Sequence, residues 1–240
     1  FGQARNTLRV VDRVPQRAQQ GGPFPLAQGR GVGVDVDLAQ QAAQLMLLRE
    51  RLEADVVSKW KLTADQVPIP TDVEGADLLY VALAGAHSII PAAAVFNAAG
   101  ENWSLSFFEA VNFGAFVGDP TKTRLILNRI VDEAKRLKVK EVCICECGTA
   151  YRVMKQMSGN QPFEVSSITE VHARYLRENR IRLDKTKISG TVTYHDPCPA
   201  KKMQGIFQEP RSLLKENYNL VEMSDSNQCC GFGGVTMQTE

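Results

Sequence analysis

The distribution of cysteine constrains this chain more than any other feature. All six cysteines lie between Cys143 and Cys230, and the first 142 residues contain none. They form three groups, which are a run at positions 143, 145 and 147, an isolated Cys198, and the adjacent pair Cys229 and Cys230. Six cysteines in 240 residues are too few for a secreted disulfide scaffold. Clustered thiols in a chain of cytosolic type predict metal or redox chemistry instead.

Charge and hydropathy exclude several classes of partner. The chain has 28 basic and 27 acidic side chains, so its formal net charge is +1. This balance gives no electrostatic reason to expect nucleic acid or an anionic membrane surface as a partner. No apolar run approaches the roughly 20 residues of a membrane-spanning helix. The first residues also lack the apolar segment of a signal peptide. We therefore expect a soluble, cytoplasmic protein.

Alternating strand and helix patterns from about Gly75 onward predict an α/β fold with parallel sheets. Strands are predicted from the apolar segments at 77–85, 140–146 and 190–196. Helices are predicted over 90–99, from Asp119-Pro120, from Ser166 or Ser167 to Arg180, and from Glu209-Pro210. Ahead of this part, residues 1–37 have the composition of an extended arm, and 38–74 that of a long helix followed by a linker.

Two segments of the chain resemble each other and predict an internal repeat. Aligning the tyrosines of LLYVALAGAH and VTYHDPCPAK pairs Tyr80 with Tyr194 and Ala84 with Cys198. Further on, after three additional residues in the second segment, NFG at 112–114 falls opposite CCG at 229–231. The intervals between the paired positions are similar, at 28 and 31 residues.

The repeat predicts two copies of one α/β module, over 75–160 and 161–240. The first copy has lost the thiols at Ala84 and at 112–113, so we expect it to be structural. In the first copy Cys147 follows Gly114 after a further helix and strand. An equivalent helix, strand and cysteine are missing between Gly231 and Glu240. We therefore expect the second module to be incomplete at its C-terminus.

The last three cysteines and the residues beside them are suited to binding a metal cluster. Consecutive side chains diverge, so Cys229 and Cys230 can each reach a different iron of one cluster. The glycine at 231 and those at 233 and 234 let the backbone approach the sulfides closely. Cys198 follows Asp196-Pro197 at the end of a predicted strand, where a rigid turn can aim its thiolate. Thiolates of this kind select iron–sulfur clusters, zinc or copper(I).

Three motifs together carry a family resemblance. YHDPC at 194–198, EPR at 209–211 and CCGFGG at 229–234 resemble the CCG, or cysteine-rich, domain of heterodisulfide reductase subunits and related iron–sulfur proteins. The NFG and ECG segments of the first module are most similar to the branch found in the membrane redox complexes of sulfate reducers. The resemblance covers roughly Gly75 to Glu240.

This resemblance implies a cofactor and its ligands. It implies a [4Fe–4S] cluster, cubane or non-cubane, held by Cys198, Cys229 and Cys230, with the Gly231 backbone beside it. Cys147 matches the second cysteine of the first module's CxxC, while Ile144 stands where the family has the first. The implied ligand set is therefore Cys198, Cys229, Cys230 and Cys147.

The resemblance also implies a role and partners. The implied role is that of an oxidoreductase subunit exchanging electrons with a thiol/disulfide substrate or a carrier protein. The other subunits of such a complex carry iron–sulfur, flavin or haem b centres. The chain would then lie in the cytoplasm, peripheral to the inner membrane through a partner subunit.

Other interpretations of the sequence stay open at this point. The cluster could instead belong to a glycolate- or lactate-oxidase-type relay subunit, or the thiols could serve a non-catalytic scaffold that holds zinc or no metal. Cys143 and Cys145 alternate along a strand and are expected to be core residues. His195 could tune a cluster, relay a proton or simply pack. His87 and His172 are expected to be structural.

Overall fold

The structure is a computed structural model that describes residues 47, 50–59, 61–83, 86–106, 115, 118–145, 147–226 and 228. Tertiary contacts join residues 43–240 into one unit. The predicted arm at 1–37 lies outside the described residues, as do most of the first half of the predicted long helix and residues 229–231.

A four-stranded sheet forms the centre of the described chain. Its strands are β1 (Leu78–Val81), β2 (Trp103–Leu105), β3 (Glu141–Ile144) and β4 (Glu164–Ser167). The strand order is β2-β1-β3-β4, and every neighbouring pair is parallel. Parallel strands need long crossover connections, which are helical here. The prediction of an α/β fold is therefore confirmed.

Helices with defined bounds follow one another along the described chain. They are α1 (Ala86–Ala98), α2 (Pro120–Arg136), α3 (Gly148–Met157), α4 (Ile168–Arg177), α5 (Cys198–Gln204) and α6 (Gln208–Lys215). Residues 51–59 are also helical.

Local capping explains where two of the predicted helices begin. The Asp119 carboxylate accepts a hydrogen bond from the Lys122 backbone N–H (3.0 Å) at the start of α2. The Ser167 hydroxyl oxygen accepts from the Glu170 N–H at the start of α4, and the Ser167 N–H donates to the Glu170 carboxylate.

The sheet is covered by helices on both faces. Alternate residues of β1 enter two separate cores, with Leu78 and Tyr80 on one face and Leu79 and Val81 on the other. The first core is completed by α1, by α4 and by residues of the 51–59 helix. The second is completed by α2 and α3. The result is a three-layer arrangement in which the central strands β1 and β3 are buried on both faces.

A second, smaller sheet lies on either side of the helices that begin at Cys198 and Gln208 in the sequence. It pairs β5 (Thr191–Val192) with β6 (Asn219–Leu220) in parallel, and α5 and α6 connect them. The β1–α1–β2 unit has the same strand–helix–strand arrangement. Paired residues of β5 and β6 are three positions further apart in the sequence than paired residues of β1 and β2. The interval from Cys198 to Cys229 is likewise three residues longer than the interval from Ala84 to Asn112. The extra residues therefore lie in the crossover between β5 and β6.

The structure adds elements that the sequence patterns do not predict, among them β2, α3, β4, α5 and β6. Most are short, and β4 reads Glu-Val-Ser-Ser, so neither length nor hydrophobic periodicity marks them. The strand predicted over 190–196 is limited to two residues, because β6 offers only two partners. β4 belongs to the first sheet, which thus extends beyond residue 160. The four-part domain division stays a prediction.

Replacing Phe96 with alanine should remove about 3–5 kcal/mol from the free energy of unfolding. Phe96 is fully buried, and its ring centroid lies 5.3 Å from that of Tyr80 and 5.1 Å from that of Trp103. Chemical denaturation measures the loss. Leu125→Ala is the control, because Leu125 is 64% exposed and its truncation should change stability by about 0.5 kcal/mol or less.

Stability should fall as the pH drops from about 6.5 towards 4. The His172 ring packs against Phe96 and Tyr175, its buried Nε2 has no hydrogen-bond partner among the described residues, and burial lowers its pKa to about 4. Below about pH 6.5 the His172 side chain is protonated in the unfolded chain but stays neutral in the folded chain. This difference lowers the free energy of unfolding by up to about 3 kcal/mol. Denaturation at pH 7 and pH 4.5 measures the loss. In His172→Phe the loss over this range should be smaller, and an equal loss in both proteins would contradict the assignment.

Candidate functional site

The carboxyl edge between β1 and β3 is the point where the strand order of the large sheet reverses. From β1 the chain crosses to β2 on one side and returns to β3 on the other. Open parallel sheets bind ligands in the crevice at such a point. The run at 143–147 ends there, and the Leu83 N–H donates to the Cys145 sulfur at 3.1 Å. The topology thus puts the first cysteine group at the edge where sites form.

The end of β3 separates the cysteines of this run, because Cys147 lies where the chain has left the sheet and begins α3. Cys143 and Cys145 point into the core beneath α1 and are almost completely buried. Burial raises the pKa of the Cys143 thiol well above its usual value, which disfavours the thiolate that binds metal. This agrees with the expectation that both are core residues. Cys147 instead packs beside the core on the opposite face of the sheet.

Cys147 and Cys198 occupy equivalent places at the starts of two packed helices. Cys147 is the N-cap of α3 but its sulfur makes no capping hydrogen bond, and Cys198 is the first residue of α5. The two helices pack against each other, and Cys147 and Ala200 contact the same core. Both thiols are half-buried and neither forms a disulfide. They are therefore accessible sulfur donors on neighbouring elements.

A buried charge network lies directly before Cys198. Arg211 uses all five of its N–H groups as donors. Two bond Asp196 (2.7 and 3.0 Å), two bond Glu222 (2.8 and 2.9 Å), and one bonds the Phe207 carbonyl (2.9 Å). The guanidinium also lies 3.7 Å from the centroid of the Phe207 ring. Such a planar fork cannot be reproduced by lysine.

The Asp196 carboxylate is the centre of this network. It is 2% exposed, and Lys201 Nζ and Ser226 Oγ donate to its Oδ2 at 2.7 and 2.9 Å, in addition to Arg211. The hydrogen bonds from Arg211, followed by those from Lys201 and Ser226, hold the pKa of Asp196 well below its usual range despite its burial. Asp196 is therefore a permanent anion with fixed partners.

The same loop is fastened to the segment that precedes Cys229 in the sequence. The Asp196 N–H donates to the Ser226 carbonyl at 3.0 Å. His195 Nε2 lies 2.8 Å from the Gln228 carbonyl oxygen. A carbonyl can only accept, so Nε2 carries the proton of this bond. The residues before Cys198 and those before Cys229 are thus tied together at three points, counting the Ser226 hydroxyl.

The predicted site residues fall into two groups. Cys147 and Cys198 lie on adjacent helices as described, whereas Cys229, Cys230 and Gly231 are outside the described residues. Within the part of the chain that the structure describes, no three His, Cys, Asp or Glu side chains are placed to hold a metal ion. The assignment of these residues as ligands therefore stays a prediction.

Sequence reasoning did not identify the pairing of Asp196 with Arg211, nor the roles of Glu222 and Ser226. A signal was present, because Asp196 and Arg211 are charged residues of the YHDPC and EPR motifs. Opposite charges in two motifs of one family are candidates for an ion pair. Only the fold shows that these two are partners of each other.

Comparison with known proteins confirms the predicted family resemblance. A family model described as the cysteine-rich domain CCG matches residues 192–240. The chain is 33% identical over 112 residues to one subunit of the dihydromethanophenazine:CoB–CoM heterodisulfide reductase of Methanosarcina mazei, an alignment covering 42% of this chain and 27% of that protein. It is 26% identical over 181 residues to the Hdr-like menaquinol oxidoreductase iron–sulfur subunit 2 of Archaeoglobus fulgidus, covering 58% and 32%.

A third relative is the EtfAB:quinone oxidoreductase of Syntrophomonas wolfei, 26% identical over 132 residues, with 52% of this chain and 18% of that protein covered. The chain thus spans a third or less of the length of each of these relatives. No solved structure matches it significantly. No helix among the described residues is long and apolar enough to cross a membrane. These similarities support an iron–sulfur, oxidoreductase-type role in general terms.

Replacing Arg211 with leucine should destabilise the chain by about 3–5 kcal/mol, because Asp196 would remain buried without its main partner. Chemical denaturation measures the change. Glu74→Gln is the control, since both side chains of the Lys138–Glu74 pair are exposed to solvent and its loss should change stability far less. Equal effects in the two variants would contradict the importance assigned to the buried network.

Proposed function

We propose that this chain, which contains a cysteine-rich CCG domain at residues 192–240, is an iron–sulfur electron-transfer subunit of a heterodisulfide reductase-like complex. It would exchange electrons with a thiol/disulfide substrate or carrier protein at a bound [4Fe–4S] cluster. The observation that carries the proposal is the position of Cys198. It is a half-buried, unpaired thiol whose loop is fastened to the segment leading to the CCG motif.

The donor set of the chain fits such a cluster. Thiolates are the usual protein ligands of iron–sulfur clusters. Cys147 and Cys198 are free of disulfides and partly accessible, which a ligand at the edge of a cluster requires. The proposed ligands are Cys198, Cys229 and Cys230, with Cys147 as the fourth because α3 packs against α5. The backbone of Gly231 would border the same site.

When bound, a [4Fe–4S] cluster supplies one-electron steps that can be combined into the two-electron reduction or oxidation of a disulfide. The residues of this chain set the conditions for that chemistry. Asp196 and Arg211 hold the Cys198 turn in place, and the core beneath α3 and α5 excludes water from one side of the thiols. The His195 Nε2–H donates a hydrogen bond to the Gln228 carbonyl, so the ring serves to orient the backbone.

The proposed partners are the other subunits of a redox complex. Subunits with iron–sulfur, flavin or haem b centres would exchange electrons with this chain, and a membrane subunit would hold it at the cytoplasmic face of the inner membrane. Support comes from relatives whose names describe a heterodisulfide reductase subunit and an iron–sulfur subunit of a menaquinol oxidoreductase.

A simpler relay function is the second candidate. The similarity to an EtfAB:quinone oxidoreductase favours it, since a chain of the same type could pass electrons on without thiol chemistry, as in a glycolate- or lactate-oxidase-type subunit. Reduction of a disulfide by the pre-reduced chain would separate the two functions. A zinc-binding or metal-free scaffold is distinguished more simply, because it lacks the brown colour of a cluster.

Anaerobically purified wild-type protein should contain iron and acid-labile sulfide, with about four irons per chain, and show a paramagnetic signal in one oxidation state. Cys198→Ala and Cys229→Ala should lose most of this iron because each removes a proposed thiolate ligand. Metal analysis and EPR spectroscopy measure the loss. Cys143→Ala is the matched control, since Cys143 is a fully buried thiol with a raised pKa and should leave the iron content unchanged.

Two results would contradict the proposal. Zinc, or no metal in a well-folded wild-type chain, would favour the scaffold. Unchanged iron in both Cys198→Ala and Cys229→Ala would overturn the ligand assignment.

A further inference from the structure

We propose that Asp196 is a positioning residue that holds the turn before Cys198 against the segment around Ser226, which leads in the sequence to Cys229 and Cys230. This inference rests on the proposed function, because it assumes that these cysteines bind one cluster. It adds a role for Asp196, Ser226 and Arg211 that follows from their hydrogen bonds.

Asp196 links two segments that are far apart in the sequence. It precedes Cys198 by two residues, and its partner Ser226 precedes Cys229 by three. The link is made twice, from the Asp196 N–H to the Ser226 carbonyl at 3.0 Å and from the Ser226 hydroxyl to the Asp196 carboxylate at 2.9 Å. A rotation of the carboxylate would break the second of these links.

Arg211 prevents such a rotation. Its two parallel bonds to Asp196 set the plane of the carboxylate, and its two bonds to Glu222 set the plane of the guanidinium. Lys201, on the helix that begins with Cys198, bonds the same carboxylate at 2.7 Å. Asp196 is thus joined at once to α5, to α6 and to the segment that precedes Cys229.

Precise placement of this kind matters for a cluster. Metal–ligand distances tolerate deviations of about 0.2 Å, and residues that orient ligands commonly alter metal affinity by about 10–100-fold. A positioning role requires a direct link between the two cysteine segments. The Ser226 hydroxyl bond makes that link, and it is the contact whose removal is least expected to disturb the fold.

The chain provides a matched control in a second ion pair with similar geometry. Arg174 donates to Glu141 through two parallel bonds of 3.0 and 2.6 Å, and both side chains are partly buried. Glu141 lies at the amino end of β3, the opposite end from Cys145 and Cys147. Weakening this pair should cost stability without reaching the proposed cluster.

The experiment compares Ser226→Ala, Ser226→Thr and the control Glu141→Gln in anaerobically purified chain, with Asp196→Asn as a stronger variant if it folds. The readouts are the EPR spectrum, the rate of iron release to a chelator, and the free energy of unfolding. Ser226→Ala should change the EPR line shape and release iron about tenfold faster, the factor equivalent to about 1.4 kcal/mol. Ser226→Thr keeps the hydroxyl and should restore both properties.

Each outcome has a defined meaning. The control should lower the free energy of unfolding while leaving the EPR line shape as in the wild type. If Ser226→Ala matches the wild type in spectrum and release rate, the positioning role is overturned while the proposed cluster stands. If the control changes the spectrum as much as Ser226→Ala does, the effect is general destabilisation and the role is also overturned. A wild-type chain without iron would overturn the proposed function itself.

Discussion

The parallel pairing of β1 with β3 is the interaction on which the rest of this structure depends. It joins Leu78–Val81 to Glu141–Ile144, which are far apart in the sequence. It creates the point between β1 and β3 at which the strand order of the sheet reverses. It also divides the apolar residues between two cores, since adjacent side chains of each strand point to opposite faces. The position of every described cysteine follows from this pairing or from the helices packed against it.

The consequence for the first cysteine group is a separation by burial. Cys143 and Cys145 are core residues on one face, and the residue between them, Ile144, enters the other core. Cys147 lies past the end of β3, where the chain leaves the sheet and begins α3. Only this last thiol of the run is both accessible and near α5. The end of β3 thus separates two buried thiols from one accessible thiol within the CxCxC run.

The second cysteine region is organised by charge more than by apolar packing. Its sheet has two strands of two residues each, and the buried side chains there include Asp196 and Arg211. A buried ion pair contributes less to stability than apolar packing of similar size, yet it fixes geometry because each partner has defined bond directions. The proposed cluster site would benefit from that property, because its proposed ligands come from two segments distant in the sequence. The charge network thus supplies the fixed geometry that a sheet of two short strands does not provide.

The sequence by itself determined the fold class, the family resemblance and the residues of chemical interest, because periodicity, turn residues and the CCG motif are local signals. Capping at Asp119 and Ser167 is local as well, and the structure confirms it. The burial of Cys143 and Cys145 follows the alternation of the strand, but the tertiary structure alone decided that Cys147 and Cys198 lie on packed helices with half-buried thiols. It alone paired Asp196 with Arg211, since a contact between residues distant in the chain depends on how the helices and strands pack, which no local pattern records.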